Sequence, residues 1–453
     1  MNVLLLTAGA GPMYCGSCLQ SNTLAAALRS RGADCILLPV YTPLRTDEPD
    51  VSLDRLALGG IKVALHERWP LLRRMPAWLG RLLDRPALVR WAVRHGGRTR
   101  PKRLGALTLA VLEGRQGPIG DDIGRLADTL AREFRPDVIH LSSVLLAGLA
   151  RPLADRLGVP VLGTLAGEDL FLAKLPPPWC EQARAALARR SADLAALVAP
   201  SRYYAEFMAG YLAVPPERIH VVPPGLNLDG HRKPGDVLGP WGLSPPNPQI
   251  PKSPNPSHGL SPSAATIGYL GRVCPDKGLH LLAEALPRLA ADRHLPPLRV
   301  RAAGYLDPAD RAYLNGIRRR LAAAGLADRF EYLGELDRPA KIAFLQSLDV
   351  LSLPAVCRES KALPALEGWA NGIPAVLPDH GAFPELVADT GGGLLHAPGD
   401  AEALAAALAR MLREPEFAAA CARQAHQAVH QRYNANRMAR QMIEVYEGLV
   451  RGI

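Results

Sequence analysis

Short apolar runs alternate with longer amphipathic stretches along most of the chain. The runs at 138–141 and 195–198 are almost continuously apolar. Such runs are typical of strands buried on both faces in a parallel sheet, whereas the stretches between them have the period of helices. The pattern predicts strands at 2–7, 34–40, 60–65, 137–141, 160–164, 195–199, 219–222, 266–270, 298–302, 329–333, 349–353, 374–378 and 392–396. It predicts helices at 18–31, 119–134, 144–157, 178–190, 201–212, 278–293, 308–325, 338–347, 364–371 and 400–413.

The strands fall into two series, which predicts an α/β protein with two doubly wound, Rossmann-like domains. Alternating strands and helices imply right-handed crossovers between parallel strands. A stretch at 234–262 contains nine prolines and separates the two series, as a linker or a disordered insertion would. We expect an N-terminal domain at 1–230, a linker or insertion at 231–264 and a C-terminal domain at 265–415. The last segment, 416–453, is expected to be a helical stretch that packs back on the N-terminal domain.

A ligand site is expected between the two predicted sheets. Open α/β sheets bind their ligands beyond the carboxyl ends of the strands. Two domains that face each other would therefore hold a ligand in the cleft between them. Candidate functional residues should directly follow strands in the sequence.

The composition of the 453 residues is that of a folded protein with aliphatic cores. Hydrophobic residues make up 48% and aromatic residues 5%, which excludes a disordered chain. The seven cysteines are an odd, scattered set, so they predict a cytoplasmic protein without a disulfide framework. No apolar run reaches the length of about 18 residues that a membrane span needs. The apolar start at 1–7 is predicted to be a strand and not a signal peptide.

The positive charge is concentrated in one segment. The net charge is +10, and residues 68–103 contain eleven lysines or arginines and one acid, Asp84. Because the rest of the chain is close to neutral, nucleic acid is not an expected partner. This segment lies in an insertion at about 66–118 and also contains tryptophans and leucines. It is either a basic amphipathic surface that binds anionic lipid at the inner face of the membrane or a lid on the N-terminal domain.

The first candidate site is the segment 358–367, which follows a predicted strand and leads into a helix. Pro364 suits the first helical position, and with Leu363 as the cap no side chain satisfies the first backbone N–H groups. A helix start of this kind binds anions such as a diphosphate. Glu359 before the helix and Glu367 inside it can each accept hydrogen bonds from hydroxyl groups, one set on a sugar and one on a ribose. The alternative is two solvated glutamates around a helix start.

The second candidate site is the loop 271–278, directly after the first predicted strand of the second domain. Gly271 ends this strand, and Arg272 and Lys277 lie in the loop. Two cations at the carboxyl end of a strand can neutralise the charge that builds up on a departing diphosphate. The pattern is neither a P-loop nor a dinucleotide-binding glycine motif. The alternative is a pair of ordinary surface cations.

These motifs resemble those of glycosyltransferase family 4, whose members have the two-domain GT-B fold. Glu359 and Glu367 match the family's E-x7-E motif, and the loop 271–278 matches its G-R-x4-K-G motif. Further segments that follow the family's pattern are 198–201, 221–227, 372–376 and 381–385. The resemblance covers most of 1–450 except about 66–118 and the proline-rich stretch.

The resemblance implies a donor site in the second domain. Arg272 and Lys277, after Gly271, would hold the diphosphate of a nucleotide-sugar, together with backbone amides near Lys361 and Leu363. The chain has no D-x-D triplet, and cations with a helix start can replace a metal ion. We therefore expect transfer without a metal and without a cofactor, with a UDP- or GDP-sugar as the donor substrate.

The resemblance also implies how the sugar is held and transferred. Glu359 would bind the donor sugar and Glu367 the nucleotide ribose. Such enzymes transfer with retention of configuration, and the leaving phosphate can accept the proton of the acceptor. The chain departs from the family at Ser360-Lys361-Ala362, where a small glycine usually follows the first glutamate.

In the first domain, the resemblance places the acceptor beside two loops. Gly16 and Ser17 lie in the glycine-rich loop that approaches sugar and acceptor. Ala166 stands where the family often carries histidine, so Glu168 or Asp169 is expected to contact an acceptor hydroxyl instead.

The predicted function is that of a retaining glycosyltransferase of the hexosyltransferase type. It would move a sugar from a nucleotide-diphosphate donor to a sugar or lipid-linked acceptor. The alternatives are another GT-B enzyme, such as a nucleotide-sugar epimerase, and a non-catalytic nucleotide-sugar or membrane-binding module. The expected location is the cytoplasm, with peripheral attachment to the membrane if the basic segment binds lipid.

Overall fold

The computed structural model describes residues 1–9, 16–57, 101–114, 120–235 and 264–452. The chain divides into two compact units, an N-terminal unit of Met1–Gly225 with Ala435–Ile453 and a C-terminal unit of Leu226–Asn434. The predicted strand at 60–65, nearly all of the basic segment 68–103 and most of the proline-rich stretch lie outside the described residues.

A parallel sheet forms the centre of the N-terminal unit. In the described residues its strands are β1 (Asn2–Thr7), β2 (Asp34–Pro39), β3 (Val138–Leu141), β4 (Val161–Thr164), β5 (Ala196–Ala199) and β6 (Ile219–Val221). They lie in the order β2-β1-β3-β4-β5-β6, and each neighbouring pair is parallel. The helices are α1 (Gly16–Ser30), α2 (Pro101–Glu113), α3 (Gly120–Glu133), α4 (Ala150–Leu157), α5 (Glu168–Leu172), α6 (Trp179–Ser191), α7 (Arg202–Leu212) and, from the end of the chain, α15 (Ala435–Arg451).

The C-terminal unit has a second parallel sheet. Its described strands are β7 (Ala265–Leu270), β8 (Leu298–Ala303), β9 (Phe330–Tyr332), β10 (Val350–Ser352), β11 (Ala375–Pro378) and β12 (Gly393–His396). They lie in the order β12-β11-β10-β7-β8-β9, again with parallel pairs. The helices are α8 (Leu279–Ala291), α9 (Arg311–Ala323), α10 (Arg338–Gln346), α11 (Leu363–Ala370), α12 (Phe383–Thr390), α13 (Ala401–Arg413) and α14 (Pro415–Arg432). The prediction of two doubly wound α/β units is confirmed.

The strand order of the C-terminal unit creates a switch point between β7 and β10. After β7 the chain adds β8 and β9 on one side, and it then returns to the other side of β7 to form β10. The loops after β7 and β10 therefore leave adjacent strands and lead to different sides of the sheet. Ligands of open α/β sheets bind at such points.

The predicted helical stretch at the end of the chain is two helices in the structure. α14 belongs to the C-terminal unit and α15 to the N-terminal unit. Between them, the Tyr433 carbonyl accepts a hydrogen bond of 2.8 Å from the Leu226 amide, and the Tyr433 hydroxyl donates to Asp389 at 3.2 Å. Asn434, between the two helices, forms an isolated parallel β-bridge with Leu226. Because the backbone is extended at this point, the helix is interrupted there.

α15 completes the hydrophobic core of the N-terminal unit. Its residues Met442 and Tyr446 are buried with Leu24 and Leu28 of α1. Tyr446 also reaches the sheet, where its hydroxyl lies 2.7 Å from Nδ1 of His140 on β3. The other ring nitrogen of His140 lies 2.7 Å from the Thr164 hydroxyl. Both hydroxyls can donate or accept, so the two ring nitrogens of a neutral histidine are satisfied.

We expect His140 to make the protein less stable in acid. Burial lowers the pKa of His140 to about 3, so the folded protein keeps it neutral while the unfolded chain binds a proton below about 6.5. Stability from this group is present above pH 6.5 and is lost as the pH falls towards 3. Its contribution to the free energy of unfolding should drop by about 2 kcal/mol between pH 7 and pH 5.

Urea unfolding of His140→Gln across this pH range measures the effect. The variant should show a flatter pH dependence than the wild type, and His220→Gln, at an exposed position of β6, is the matched control. Equal slopes for His140→Gln and the wild type would contradict the prediction.

Candidate functional site

The candidate site of the C-terminal unit is built from the loops after β7 and β10. The first loop, 271–278, begins directly after β7. Its first residue is still bonded to the sheet, because the Gly271 amide donates to the Ala303 carbonyl of β8 at 3.0 Å. The Tyr269 hydroxyl donates to the Arg272 carbonyl at 2.8 Å, which fixes the next residue. The loop then forms one 3-10 turn, Pro275–Lys277. Arg272 and Lys277 are thereby held at the carboxyl end of β7.

Backbone contacts join this loop to the loop after β10. The Asp276 carbonyl accepts hydrogen bonds from the amides of Val356 at 2.9 Å and Cys357 at 3.1 Å. Gly278 has a φ of +73°, and a Cβ atom at this position would lie 1.7 Å from the Pro354 carbonyl oxygen. A residue without a side chain is therefore needed where the two loops touch. The two loops form one structural element across the switch point.

The junction brings Lys277 into contact with Glu359. The Lys277 ammonium donates to the Glu359 carboxylate, and the side chains are 26% and 21% exposed. Burial by itself lowers the pKa of Lys277, but the charge of Glu359, the nearby Cys357 and the hydrogen bond to Glu359 together outweigh burial, so the pKa lies above its usual value. Arg272 is close enough for its charge to oppose this rise. The structure thus brings together Arg272, Lys277 and Glu359, which the sequence predicts as site residues.

A tight turn after β11 holds the backbone of Glu359. The Ala382 amide donates to the Glu359 carbonyl at 2.8 Å. Gly381 has a φ of +63°, and a Cβ atom there would lie 2.8 Å from both the nitrogen and the carbonyl oxygen of Glu359. The segment 381–385, which the family resemblance singles out, therefore packs directly against the first glutamate.

The helix α11 begins one residue earlier than predicted. Its first residue is Leu363, and the cap is Ala362, not Leu363. Pro364 is therefore the second helical residue, a position that also lacks an intrahelical N–H partner and so tolerates proline. As predicted, no side chain makes a capping hydrogen bond. The start of α11 keeps the open, partly positive character that suits an anion.

Ala362 adopts an unusual backbone conformation at this helix start. Its φ of 50° and ψ of 40° are left-handed, a region that costs an L-residue about 1–2 kcal/mol. It stands in the segment where the family usually has a small glycine, which adopts this conformation without strain. In this segment the chain therefore uses alanine, the smallest residue that has a Cβ atom, in a left-handed conformation, and Ala362 is buried. Lys361 lies in the turn just before it.

Glu367 lies inside α11 and pairs with a lysine that sequence reasoning missed. The Lys341 ammonium on α10 donates to the Glu367 carboxylate, and the two side chains are 11% and 8% exposed. Lys341 belongs to none of the family motifs found in the sequence. The signal that could have identified it is its position in the apolar run Ala340–Leu345, all of which is buried and in which a lysine is unusual.

The candidate acceptor residues of the N-terminal unit have different surroundings. Gly16 and Ser17 are the first two residues of α1. Glu168 is buried, and its carboxylate accepts hydrogen bonds from the Ser143 hydroxyl at 2.7 Å and the Ala166 amide at 2.6 Å. These bonds connect the turn before α5 to the loop after β3.

Asp169 accepts a hydrogen bond of 2.6 Å from the buried Tyr204 hydroxyl. Burial raises the pKa of Tyr204, and the nearby Glu168 and Asp169 charges add to this rise. The hydroxyl therefore remains protonated and continues to donate to Asp169. One oxygen of Asp169 is engaged in this way, and the other belongs to a side chain that is partly exposed.

None of the described helices combines the length and the apolar composition needed to cross a membrane.

Two protein families match the chain over separate regions. Residues 255–428 match "Glycosyl transferases group 1", and residues 94–229 match "Glycosyltransferase Family 4". The first region contains the loops after β7 and β10 and the start of α11. The second contains β3 to β6 and the turn with Glu168 and Asp169.

A curated relative and two solved structures extend these matches. D-inositol 3-phosphate glycosyltransferase of Jonesia denitrificans is 30% identical over 267 residues, which cover 57% of this chain and 59% of the relative. The chain thus spans about 60% of the length of the first curated relatives that it matches.

Among solved structures, sucrose-phosphate synthase of Thermosynechococcus elongatus matches with a TM-score of 0.71 at 17% identity, over 100% of both chains. HepE of Anabaena, in complex with UDP and glucose, matches with a TM-score of 0.65 at 16% identity, over 99% of this chain and 100% of that one. At this level of identity the likeness shows the fold, which is GT-B. With both family matches, the ordered motifs and this fold, the chain belongs to glycosyltransferase family 4.

Proposed function

We propose that the protein is a retaining glycosyltransferase whose C-terminal unit binds a UDP- or GDP-sugar. The observation that carries the proposal is the junction of the two loops at the switch point, which holds Lys277 and Glu359 in contact. A cation for phosphate and a carboxylate for sugar hydroxyls are thus held side by side near the open start of α11. The complex of HepE with UDP and glucose, a protein of the same fold, supports a nucleotide-sugar as the donor.

The diphosphate would lie between the first loop and the helix start. Arg272 and Lys277 supply two positive charges, and the amides near Lys361 and Leu363 supply N–H donors at the positive end of α11. Charge-assisted hydrogen bonds of this kind grow stronger as negative charge builds up on the leaving group. We propose that these groups, with Gly271 allowing close approach of the backbone, replace a metal ion in the reaction.

The transfer step follows from this arrangement. The bond between the anomeric carbon and the β-phosphate oxygen breaks, and the electron pair stays on the phosphate. The acceptor oxygen forms its bond to the anomeric carbon on the same face, which retains the configuration. The departing phosphate oxygen takes the acceptor proton. Glu359 accepts hydrogen bonds from the sugar hydroxyls and keeps the anomeric carbon facing the acceptor, and Glu367 holds the ribose.

We propose a hydroxyl-bearing acceptor, either a sugar or a lipid-linked group. The Jonesia relative is named for D-inositol 3-phosphate, a polyol phosphate, and this supports such an acceptor. In the N-terminal unit, Gly16, Ser17 and Asp169 are the candidates for contacting it, because both oxygens of Glu168 already accept hydrogen bonds, one from Ser143 and the other from the Ala166 amide. Attachment of the segment 68–103 to anionic lipid would bring a cytoplasmic enzyme to a lipid-linked acceptor. An epimerase or a binding module is not favoured, since the matched relatives are named as glycosyltransferases.

A thermal-shift screen tests the donor site. UDP, GDP, UMP and GMP are each added to the full chain. A diphosphate at 100 times its Kd should raise the free energy of unfolding by about 2.7 kcal/mol, because it binds only the folded state. The monophosphates lack the β-phosphate and should stabilise much less. If neither UDP nor GDP raised the melting temperature, the proposed donor site would be wrong.

Replacing Glu359 by glutamine distinguishes its contact with Lys277 from its proposed contact with the donor sugar. The variant frees Lys277 from its carboxylate, so we expect UDP or GDP to bind about 3–10-fold more tightly, in line with the roughly 1 kcal/mol of a partly exposed ion pair. Sugar transfer should nevertheless fall by about 100-fold, because the sugar loses its carboxylate.

Calorimetry and a transfer assay measure the two effects. Glu284→Gln, which breaks the more exposed pair of Glu284 with Arg320, is the matched control and should change neither. Weaker binding of the diphosphate by Glu359→Gln would show that Lys277 does not contact it.

A further inference from the structure

We propose that Lys341 is a positioning residue that orients Glu367 towards the two hydroxyls of the nucleotide ribose. The inference rests on the proposed function, in which Glu367 contacts the ribose. Lys341 lies outside the family motifs found in the sequence.

The burial of Lys341 needs an explanation. Its side chain is 11% exposed and that of Glu367 is 8% exposed, so the ion pair lies almost entirely within the protein. Taking two charges out of water costs about as much as their attraction returns, so such a pair is a weak stabilising device. A buried lysine is instead suited to fixing one geometry of its partner.

The same helix holds Glu367 at a second point. Gln346, also on α10, donates its side-chain amide to the Asn371 side-chain oxygen at 3.1 Å. Asn371 in turn donates to the backbone carbonyl of Glu367 at 2.9 Å, and Asn371 is completely buried. Thus α10 fixes the side chain of Glu367 through Lys341 and its backbone through Gln346 and Asn371.

The ion pair with Lys341 leaves the Glu367 carboxylate able to accept hydrogen bonds from the two ribose hydroxyls. An ionised carboxylate has about four acceptor positions, and Lys341 contacts one oxygen, Oε1. The hydrogen bond from Lys341 to Oε1 fixes the direction of the carboxylate. Two adjacent ribose hydroxyls can then donate to it. Without Lys341, the carboxylate would be able to turn, and it would no longer present two acceptors in a fixed direction.

The test is discrimination between ribose and deoxyribose. Calorimetry on the full chain gives the Kd of UDP and GDP and of their 2′-deoxy and 3′-deoxy analogues. Loss of a hydroxyl that donates to a charged acceptor should weaken binding to the wild type at least about tenfold. In Lys341→Met this ratio should fall towards one. In Lys341→Arg it should fall at least about threefold, since the planar guanidinium does not place the carboxylate as an ammonium does.

Matched variants separate positioning from general stability. Arg301→Met breaks another partly buried pair of the C-terminal unit, that of Arg301 with Glu331, and should leave the ratio unchanged. Because Lys341→Met leaves a buried carboxylate unpaired, Lys341→Arg decides if Lys341→Met does not fold.

The outcomes are distinct for the two proposals. A folded Lys341 variant that weakens ribo- and deoxynucleotides equally, with the wild-type ratio intact, would overturn the inference and leave the donor site in place. A wild type that binds all of these nucleotides equally well would overturn it too, because Glu367 would then not contact the ribose. Failure of the wild type to bind any nucleoside diphosphate would instead refute the proposed function.

Discussion

Lys277→Ala should lower sugar transfer by about 100- to 1,000-fold, the usual effect of removing one donor from a site where negative charge develops. In the structure the backbone at Lys277 is held by a 3-10 turn and by the backbone contacts of Asp276, so its ammonium is already positioned at the carboxyl end of β7. Its removal also leaves the Glu359 carboxylate, which is 21% exposed, without its cation. The assay is release of UDP or GDP from the sugar donor.

A control for Lys277→Ala must remove an ion pair of the same unit that lies outside the candidate site. Arg288→Ala breaks the pair of Arg288 on α8 with Glu402, whose side chains are 59% and 72% exposed. Surface pairs of this kind contribute about 0–1 kcal/mol, so transfer should stay within twofold of the wild type. Transfer by Lys277→Ala within about threefold of the wild type would exclude Lys277 from the reaction.

Gly278→Ala should destabilise the C-terminal unit by about 2–5 kcal/mol and abolish transfer. The left-handed conformation at Gly278 accounts for about 1–2 kcal/mol of this cost. The rest comes from the new Cβ, which would lie 1.7 Å from the Pro354 carbonyl oxygen and would force the two loops apart. Lys277 and Glu359 would then separate. Urea unfolding measures the stability, and nucleotide release measures the transfer.

Gly325→Ala isolates the conformational part of this effect. Gly325 has a φ of +70°, almost the same as Gly278, but nothing lies within 4 Å of an added Cβ. This variant should lose about 1–2 kcal/mol and keep its transfer rate. If Gly278→Ala and Gly325→Ala behaved alike, the close packing of the two loops would not matter for function.

The sheets and the two central loops could be predicted because their signals are local. Strands buried on both faces are continuous in the sequence, and the loop with Arg272 and Lys277 directly follows one of them. The contact between Lys277 and Glu359 follows from the fold class, since both residues lie after strands that are neighbours at the switch point. The motifs and the fold class together therefore predict that these two candidate residues lie close to each other.

The remaining features depend on contacts between distant segments or on backbone angles. The pairing of Lys341 with Glu367 joins two helices that the sequence does not relate, so no sequence motif connects the two residues. The left-handed angle of Ala362 has no signal in the residue itself, and it moved the start of α11 by one position. The bonds of Glu168 are made to its own turn and to Ser143 in the loop after β3, whereas a sequence shows only a carboxylate after a strand.

The position of α15 sets the order in which the chain can fold during synthesis. The N-terminal unit begins at the first residue, but Met442 and Tyr446 of its core are made only after the whole C-terminal unit. At about 5–20 residues per second, the ribosome needs roughly 10–40 s to produce 226–434. Throughout that interval the apolar side chains of Leu24 and Leu28 lack their final cover. The first unit to start is thus the last to finish, and a nascent chain stalled before 435 would be a substrate for chaperones.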